Sequence, residues 1–215
     1  MDITRFECNM ISENCYLIAD ANGEAALIDC GALYDEERKA ISSTIEKKHL
    51  HLVRVLNTHA HFDHVFGLSY IYKEYGIKPQ ISEDETYTYE TAFSLMKEIV
   101  RMDIPVDLPP LGETFRHGDE LKVGTITLRV IATPGHTPGG VCFYSEADKV
   151  LFSGDSLFRH EIGRCDLPGG DSAALVSSLR ERVLSLPDDV MVLPGHGDAT
   201  TVGEERQHNP YVVPF

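Results

Sequence analysis

Apolar residues recur along the chain with two periods, one typical of strands and one typical of helices. Residues 15–19 and 25–29 are apolar runs joined around Asn22-Gly23, a dipeptide that favours the tight turn of a β-hairpin. Residues 35–49 carry apolar side chains at helical spacing and predict a helix. Further strand-like runs occupy residues 52–56, 127–132, 149–152 and 190–193. Strands that alternate with helices predict an α/β fold, in which helices cover the sheets.

Polar residues just before apolar helical patterns predict where three more helices begin. Ser82 with Glu85, and Thr201 with Glu204, fit the capping box, in which each side chain binds the backbone of the other residue. Asp171 is expected to cap a helix whose apolar face is formed by Leu175, Leu179, Val183 and Leu186. The helix after Ser82 is expected to pack three side chains into the core, those of Phe93, Met96 and Val100. Three prolines predict a loop over residues 103–110.

Length and composition are those of an ordinary globular protein. With 215 residues, 42% hydrophobic and 25% charged, the chain is expected to form one domain over residues 1–215. No apolar run approaches the roughly 18 residues that a membrane span needs, and no secretory signal is visible at the start. We therefore predict no membrane partner.

The number of cysteines indicates the redox compartment in which the chain is expected to work. Five cysteines, an odd number without a Cys-x-x-Cys pair, predict a reduced, cytoplasmic chain. Among them, Cys165 is expected to be a free thiol without a role. The role of His160 stays open.

A net charge of −15 argues against nucleic-acid binding, because such a surface repels phosphates. It does not exclude an anionic small molecule, since divalent cations reverse the local potential.

Residues 58–64 read Thr-His-Ala-His-Phe-Asp-His and predict a metal site. His59 and His61 are two apart, so an extended backbone directs both to the same side. Asp63 and His64 follow where a helix is expected to start, and the turn there brings two more donors to the same place. Imidazole together with carboxylate suits zinc, iron or manganese.

Three later strand-like runs each lead directly into a ligand-type residue in a glycine-containing turn. The runs at 127–132, 149–152 and 190–193 are followed by His136, Asp155 and His196. Ligands of α/β sheets gather outside the carboxyl ends of the strands, so these ends and the one before His59 predict a shared site. Five histidines and two aspartates suffice for two divalent ions if one carboxylate bridges them. Zinc is the expected metal, with iron or manganese as alternatives.

In this order, the motif at 58–64, the lone His136, the lone Asp155 and the final Gly-His196-Gly resemble the metallo-β-lactamase superfamily. The resemblance covers nearly the whole chain and implies a four-layer αβ/βα sandwich, with the metal site along one edge of two facing sheets. Pro-Gly-His-Thr-Pro-Gly, Ser-Gly-Asp and Gly-Arg-x-Asp are similar to the glyoxalase II and persulfide dioxygenase branch. The stretch 163–171 looks most like the short, single-domain bacterial form of glyoxalase II.

The resemblance also implies roles for individual residues. The first metal would be held by His59, His61 and His136, and the second by Asp63, His64 and His196. Asp155 would bridge the two ions. Asp63 and Asp155 are the two residues expected to take a direct part in catalysis. The residues expected to support the ligands from behind are Asp29, Thr58 and Arg164.

The reaction expected from this resemblance is hydrolysis of a small-molecule thioester such as S-lactoylglutathione. Metal ions lower the pKa of bound water, so a hydroxide held by the metals can attack without a Ser or Cys nucleophile. The alternative is a persulfide dioxygenase with one iron on His59, His136 and Asp155, and a non-catalytic metal-binding protein is a weaker one. A secreted β-lactamase is disfavoured by the missing signal and by Asp155 at the bridging position.

One feature of glyoxalase II cannot be carried over. Its glutathione contact lies in a C-terminal helical domain, and only 19 residues follow His196 here. The acyl group, the thiol carrier and the oligomeric state stay open.

Overall fold

The computed structural model describes residues 1–99, 101, 104 and 107–213. The helices are α1 (Asp35–Lys47), α2 (Phe62–Val65), α3 (Leu68–Tyr75), α4 (Thr86–Ile99), α5 (Ser172–Ser178) and α6 (Val202–His208). The strands of the first half are β1 (Asp2–Cys8), β2 (Glu13–Ala19), β3 (Glu24–Ile28), β4 (His51–Leu56) and β5 (Pro79–Gln80). Those of the second half are β6 (Glu120–Val123), β7 (Ile126–Ala132), β8 (Val141–Ser145), β9 (Val150–Gly154), β10 (Leu157–Phe158), β11 (Glu161–Ile162), β12 (Met191–Pro194) and β13 (Thr200–Thr201).

The strands form two large sheets, one from each half of the chain. The first has the order β1-β2-β3-β4-β5, and the second has the order β13-β12-β9-β8-β7-β6. β3 and β4 are parallel, as are β9 and β12, while β7 and β8, and β8 and β9, are antiparallel. Consequently β7, β9 and β12 all end at the same edge of the second sheet.

Three separate apolar clusters hold four layers together. The middle cluster lies between the sheets and contains Ile18 and Ile28 from one sheet and Phe143 and Phe152 from the other. A second cluster packs α1, α3 and α4 on the outer face of the first sheet. The third packs α5 and α6 on the outer face of the second. Alternate residues of β2 face different clusters, because side chains on a strand alternate between its two faces. The predicted αβ/βα sandwich is confirmed.

Two local predictions are confirmed, one at a turn and one at a helix cap. The hairpin around Asn22-Gly23 joins β2 to β3, with Gly23 at φ 87°. Asp171 caps α5 by accepting from the amide of Ala174 at 3.0 Å. The apolar face after it continues through a π-helical turn at Leu179–Val183.

The capping box at Ser82 is wrong. The Ser82 side chain makes no cap hydrogen bond, residues 83–85 form a 3₁₀ turn, and the Glu85 carboxylate points inward. At Thr201 half of the box is present, since its hydroxyl accepts from the amide of Glu204 at 3.1 Å. Val100 and part of the predicted loop at 103–110 lie outside the described residues.

None of the helices among the described residues is long and apolar enough to cross a membrane.

Candidate metal centre

The seven predicted ligands lie together at one edge of the sandwich. His59 and His61 follow the end of β4, His136 follows β7, Asp155 follows β9 and His196 follows β12. Asp63 and His64 lie on α2, the short helix that starts directly after His61. The prediction that these strand ends converge therefore agrees with the geometry.

Three imidazoles form what we call the first triad: His59, His61 and His136. One ring nitrogen from each lies within 4.8 Å of the others. Nδ1 of His61 and Nε2 of His136 face each other at 2.9 Å. All three side chains are buried, with at most 6% of any residue exposed. This set offers only neutral nitrogen donors.

The second triad consists of Asp63, His64 and His196, and its ligand atoms also lie within 4.8 Å of one another. Oδ2 of Asp63 is 3.1 Å from Nε2 of His196 and 3.3 Å from Nε2 of His64. It therefore combines nitrogen donors with a carboxylate.

Asp155 lies between the two triads and turns one oxygen toward each. Its Oδ1 is 3.3 Å from Nε2 of His64, in the second triad. Its Oδ2 is 3.6 Å from Nε2 of His136 and 4.0 Å from Nε2 of His59, in the first. This is the placement that a bridging carboxylate requires.

Several of these buried polar atoms have no hydrogen-bond partner among the described residues. They are Nε2 of His59, both ring nitrogens of His64 and Oδ1 of Asp155. Buried polar atoms are almost always paired, because an unpaired one costs about 1–3 kcal/mol. Nδ1 of His64 faces Asp29, but the other three atoms face the centre. Convergent, unpaired imidazole and carboxylate atoms are the donor set of a zinc, iron or manganese site, so the residues fit a metal.

The protonation chemistry of the two triads differs. Burial lowers the pKa of His59 well below its ordinary value, and burial lowers that of His61 to about 3. Burial works against the charged forms of His64 and His196, but the carboxylates of Asp63 and Asp155 beside them raise the pKa of both imidazoles. Burial also opposes ionisation of these two carboxyls, and the positive charge on His64 nevertheless lowers the pKa of both. The second triad therefore holds protons that a metal ion would displace on binding.

Hydrogen bonds on the far side of the rings fix which nitrogen faces the centre. Thr58 donates through its hydroxyl to Asp29 at 2.7 Å, so its oxygen accepts from Nδ1 of His59 at 3.1 Å. Nδ1 of His136 donates to the carbonyl of Arg164 at 2.7 Å. A carbonyl only accepts, so the proton is on Nδ1 and Nε2 is left free to bind a metal.

The Nδ1 atoms of His64 and His196, which face away from the centre, lie next to other groups than those of His59 and His136. Nδ1 of His196 donates to the carbonyl of Ile11 at 3.1 Å, in the turn between β1 and β2. Oδ2 of Asp29 lies 3.3 Å from Nδ1 of His64. Asp29 thus stands behind two histidines, which matches its expected place next to the ligands.

Glycine at position 195 lets the backbone approach the ligands. A Cβ there would lie 2.3 Å from Oδ1 of Asp155 and 2.7 Å from the ring of His64. Any side chain would therefore displace two of the seven ligand residues, which explains the glycine before His196.

Arg164, Cys165 and His160 lie around the centre but outside it. The Arg164 guanidinium binds Asp166 at 2.7 and 2.8 Å, so only its carbonyl supports a ligand. Cys165 packs beside the outer cluster of α5. His160 pairs with Glu204 at 2.9 Å, so it belongs to none of the ligand groups found among the described residues.

A cleft of about 330 Å³ opens onto the centre. One wall is apolar and comprises Met10, Ile11, Phe62, Leu95, Met96 and Leu167. Met96 belongs to the helix face predicted as core, so the sequence missed its second role in the cleft, and Leu95 was not predicted at all. A core residue and a cleft residue show the same apolar spacing on a helix.

Two buried glutamates near the centre were also not predicted as site residues. Glu13 has no hydrogen bond to either oxygen and lies 3.9 Å from Nδ1 of His64. Burial raises its pKa well above the ordinary value. Glu85 contacts two of the loops that carry ligands. No local pattern marks either residue as part of a site.

The chain is similar to known proteins over almost its whole length. The family described as the Metallo-beta-lactamase superfamily matches residues 10–196. The hydroxyacylglutathione hydrolase GloC of Haemophilus influenzae is 35% identical over 215 residues, which cover 99% of this chain and 98% of that protein.

Two solved structures share the fold closely. The B3 metallo-beta-lactamase BLEG-1 superposes with a TM-score of 0.90 at 32% identity, covering 99% of this chain and all of that one. TTHA1623, solved in a di-iron-bound form, gives a TM-score of 0.85 at 35% identity, covering 97% and 99%.

Proposed function

We propose that this chain, which belongs to the metallo-beta-lactamase superfamily, hydrolyses thioesters at a centre of two divalent metal ions. The observation that carries the proposal is the pair of triads joined by Asp155, with unpaired ligand atoms directed at two neighbouring points. Residues 1–215 would act as one domain, in a cytoplasmic setting where the five free cysteines stay reduced.

The ligand roles in this proposal follow the geometry. The first triad would hold one ion, the second triad the other, and Asp155 would contact both. Bound ions would supply Lewis acids for the carbonyl oxygen and the leaving thiolate, and would lower the pKa of a bound water. Zinc is the proposed metal, and the di-iron form of TTHA1623 keeps iron as the alternative.

The protein's own residues would orient the substrate beside these ions. The apolar wall of the cleft would take the apolar part of the thioester and exclude water from it. Met10 and Ile11, in the turn between β1 and β2, are partly exposed and lie over the same cleft. The carboxylates of Asp63 and Asp155 would accept the hydrogen bond that orients the attacking water.

Thioester hydrolysis is preferred because the relative GloC is named for hydrolysis of hydroxyacylglutathione, a thioester, and spans the whole chain. A one-iron dioxygenase acting on a persulfide is the second candidate. It is supported by the placement of Asp155, with Oδ2 within 4.0 Å of both His59 and His136. The similarity to BLEG-1 adds β-lactam hydrolysis as an activity to measure.

One preparation tests all three reactions. The metal content of the purified protein is measured together with S-lactoylglutathione hydrolysis, O₂ uptake with glutathione persulfide, and hydrolysis of a chromogenic β-lactam. About two metals per chain with thioester cleavage as the fastest reaction is the expected result. One iron per chain with O₂ uptake and no thioester cleavage would replace the hydrolase with the dioxygenase.

A further inference from the structure

Glu85 is a fully buried carboxylate that joins two ligand-bearing loops. Its Oε1 accepts from the amide of Ala60 at 3.2 Å. Its Oε2 accepts from the hydroxyl of Thr137 at 3.0 Å and from the amide of Gly139 at 2.8 Å. Both oxygens of the buried carboxylate therefore accept hydrogen bonds, from three donors in all.

The partners of Glu85 lie directly beside the first triad. Ala60 is the residue between His59 and His61, and Thr137 follows His136. The same carboxylate therefore binds the backbone between His59 and His61 and also the turn that carries His136. Glu85 itself lies outside both loops, so its carboxylate ties them together from a third segment of the chain.

The backbone is shaped to admit this contact. A Cβ at Gly139 would lie 2.5 Å from the amide nitrogen of Glu85 and 2.7 Å from its Oε2. Only glycine at this position lets the 3₁₀ turn at Glu83–Glu85 pack against the His136 loop. The contact is thus supported by main-chain packing as well as by hydrogen bonds.

We propose that Glu85 is a positioning residue that sets the metal affinity of the first triad. Its hydrogen bonds among the described residues go to Ala60, Thr137 and Gly139 and to none of the ligand side chains, so it acts through those three residues. Holding the two loops in place before metal binds spares the ion the cost of ordering them, and loss of such outer support typically weakens metal binding about 10–100-fold.

The effect should be selective for the first triad, because the second is supported elsewhere. The side-chain amide of Asn57 donates to the carbonyl of His64 at 2.9 Å, and the side-chain amide of Asn9 donates to the carbonyl of Asp63 at 2.9 Å. The ring of His196 is held by the carbonyl of Ile11. None of these contacts involves Glu85.

A second buried glutamate provides a matched control. Glu205 is also fully buried, and it accepts from the hydroxyl of Thr200 at 2.6 Å, the amide of His160 at 2.9 Å and the side chain of Asn209 at 2.8 Å. It accepts three hydrogen bonds, as Glu85 does, but among the described residues none of them comes from a loop of the first triad. Glu205→Gln should lower stability without changing metal affinity.

The test compares Glu85→Gln with Glu205→Gln and wild type in the full chain. Glutamine keeps the shape but replaces one acceptor oxygen by an NH₂ group, which then faces another N–H donor. Each metal-free protein is titrated with Co²⁺, whose absorption bands distinguish the all-histidine set from the carboxylate-containing one, and with Zn²⁺ against a chelator. For Glu85→Gln we expect about 10–100-fold weaker binding at the first triad only.

Equal metal affinities in Glu85→Gln and wild type would overturn the proposal, as would equal weakening at both triads or the same weakening in Glu205→Gln. If Glu85→Gln does not fold, Thr137→Val removes one of the three bonds and should produce a smaller loss at the same triad. An unchanged affinity in Thr137→Val would then overturn the proposal.

The inference rests on the proposed metal centre but not on the reaction. A wild-type protein that binds one ion at His59, His136 and Asp155 would refute the two-metal hydrolase. Glu85 ties both of these histidine loops, so its substitution should weaken that single ion as well. Failure of the proposed function and failure of the Glu85 role are therefore distinguishable.

Discussion

The sandwich has an aspartate in a turn at each end of its strands, Asp20 at one end and Asp155 at the other. The two carboxylates differ in the hydrogen bonds that they accept. At the end away from the centre, Asp20 accepts hydrogen bonds from the amides of Asn22, Glu24 and Thr125 and from the Thr125 hydroxyl. At the other end, Oδ1 of Asp155 has no hydrogen-bond partner among the described residues and faces the ring of His64. A carboxylate surrounded by backbone donors stabilises a turn, whereas one left unpaired among imidazoles is available to a metal. The partners of a buried group therefore distinguish structure from function better than its residue type.

The largest expected difference between the two ends is in metal content. Asp155→Ala should lose both ions and nearly all activity, because this residue faces both triads. Asp20→Ala should keep both ions and its activity and should melt a few degrees lower, since the hydrogen bonds to its carboxylate are lost. Metal analysis, turnover and thermal unfolding on the same preparations measure this. Retention of two tightly bound metals in Asp155→Ala would refute the bridging role.

Substitutions within the second triad should have the next largest effect, and they separate the two reactions. For a two-metal hydrolase, Asp63→Ala and His64→Ala should each lower second-metal occupancy and cut thioester turnover steeply. A one-iron dioxygenase does not use either residue as a ligand, so iron and O₂-dependent turnover should largely persist. Lys47→Ala, on the surface of α1, is the control for both. A wild type with one iron and no thioesterase activity, little affected by Asp63→Ala, would exclude the hydrolase.

A smaller effect is expected in the choice of thiol carrier. The Arg164 guanidinium is the one Lys or Arg side chain among the described residues of the apolar cleft, and it is already bound to Asp166. Because remote anchoring of a carrier raises kcat/KM, weak anchoring predicts weak discrimination. We expect the preference for S-lactoylglutathione over thioesters of smaller thiols to stay below about a thousandfold, or roughly 4 kcal/mol. A larger preference in steady-state kinetics would mean that another segment binds glutathione.

The smallest effect concerns the far end of the strands alone. Backbone donors, above all the amide of Thr125, lower the pKa of Asp20 from 3.8 to about 2. Its contribution to stability is therefore complete above the unfolded value and disappears as the pH falls through the folded one. The melting temperature of wild type should exceed that of Asp20→Asn at pH 5, and the gap should close toward pH 2. A gap that stays constant over this range would show that the carboxylate charge is not involved.

What could be predicted from the sequence depended on how local the signal was. Four ligands lie in one short motif at residues 59–64, and each later ligand follows its own strand. The hydrophobic period of the strands and the motif were therefore sufficient to predict the ligands. Glu85 could not be identified, because its partners lie 25, 52 and 54 residues away along the chain. The pattern Ser82-x-x-Glu85 is the same whether the carboxylate caps a helix or turns inward. Only the packing of the His136 loop decides between the two.

Each half of the chain supplies only some of the metal ligands, so the order of synthesis limits when the centre can be completed. Each triad takes two residues from the first half of the chain and its last one from the second, His136 in one case and His196 in the other. During synthesis, no triad is complete until about two thirds of the chain has been made, and the second is complete only after His196 has emerged. A nascent first half thus carries four exposed ligands with no finished site. A centre built from these two triads can therefore be completed only after residues from both halves of the chain have been made.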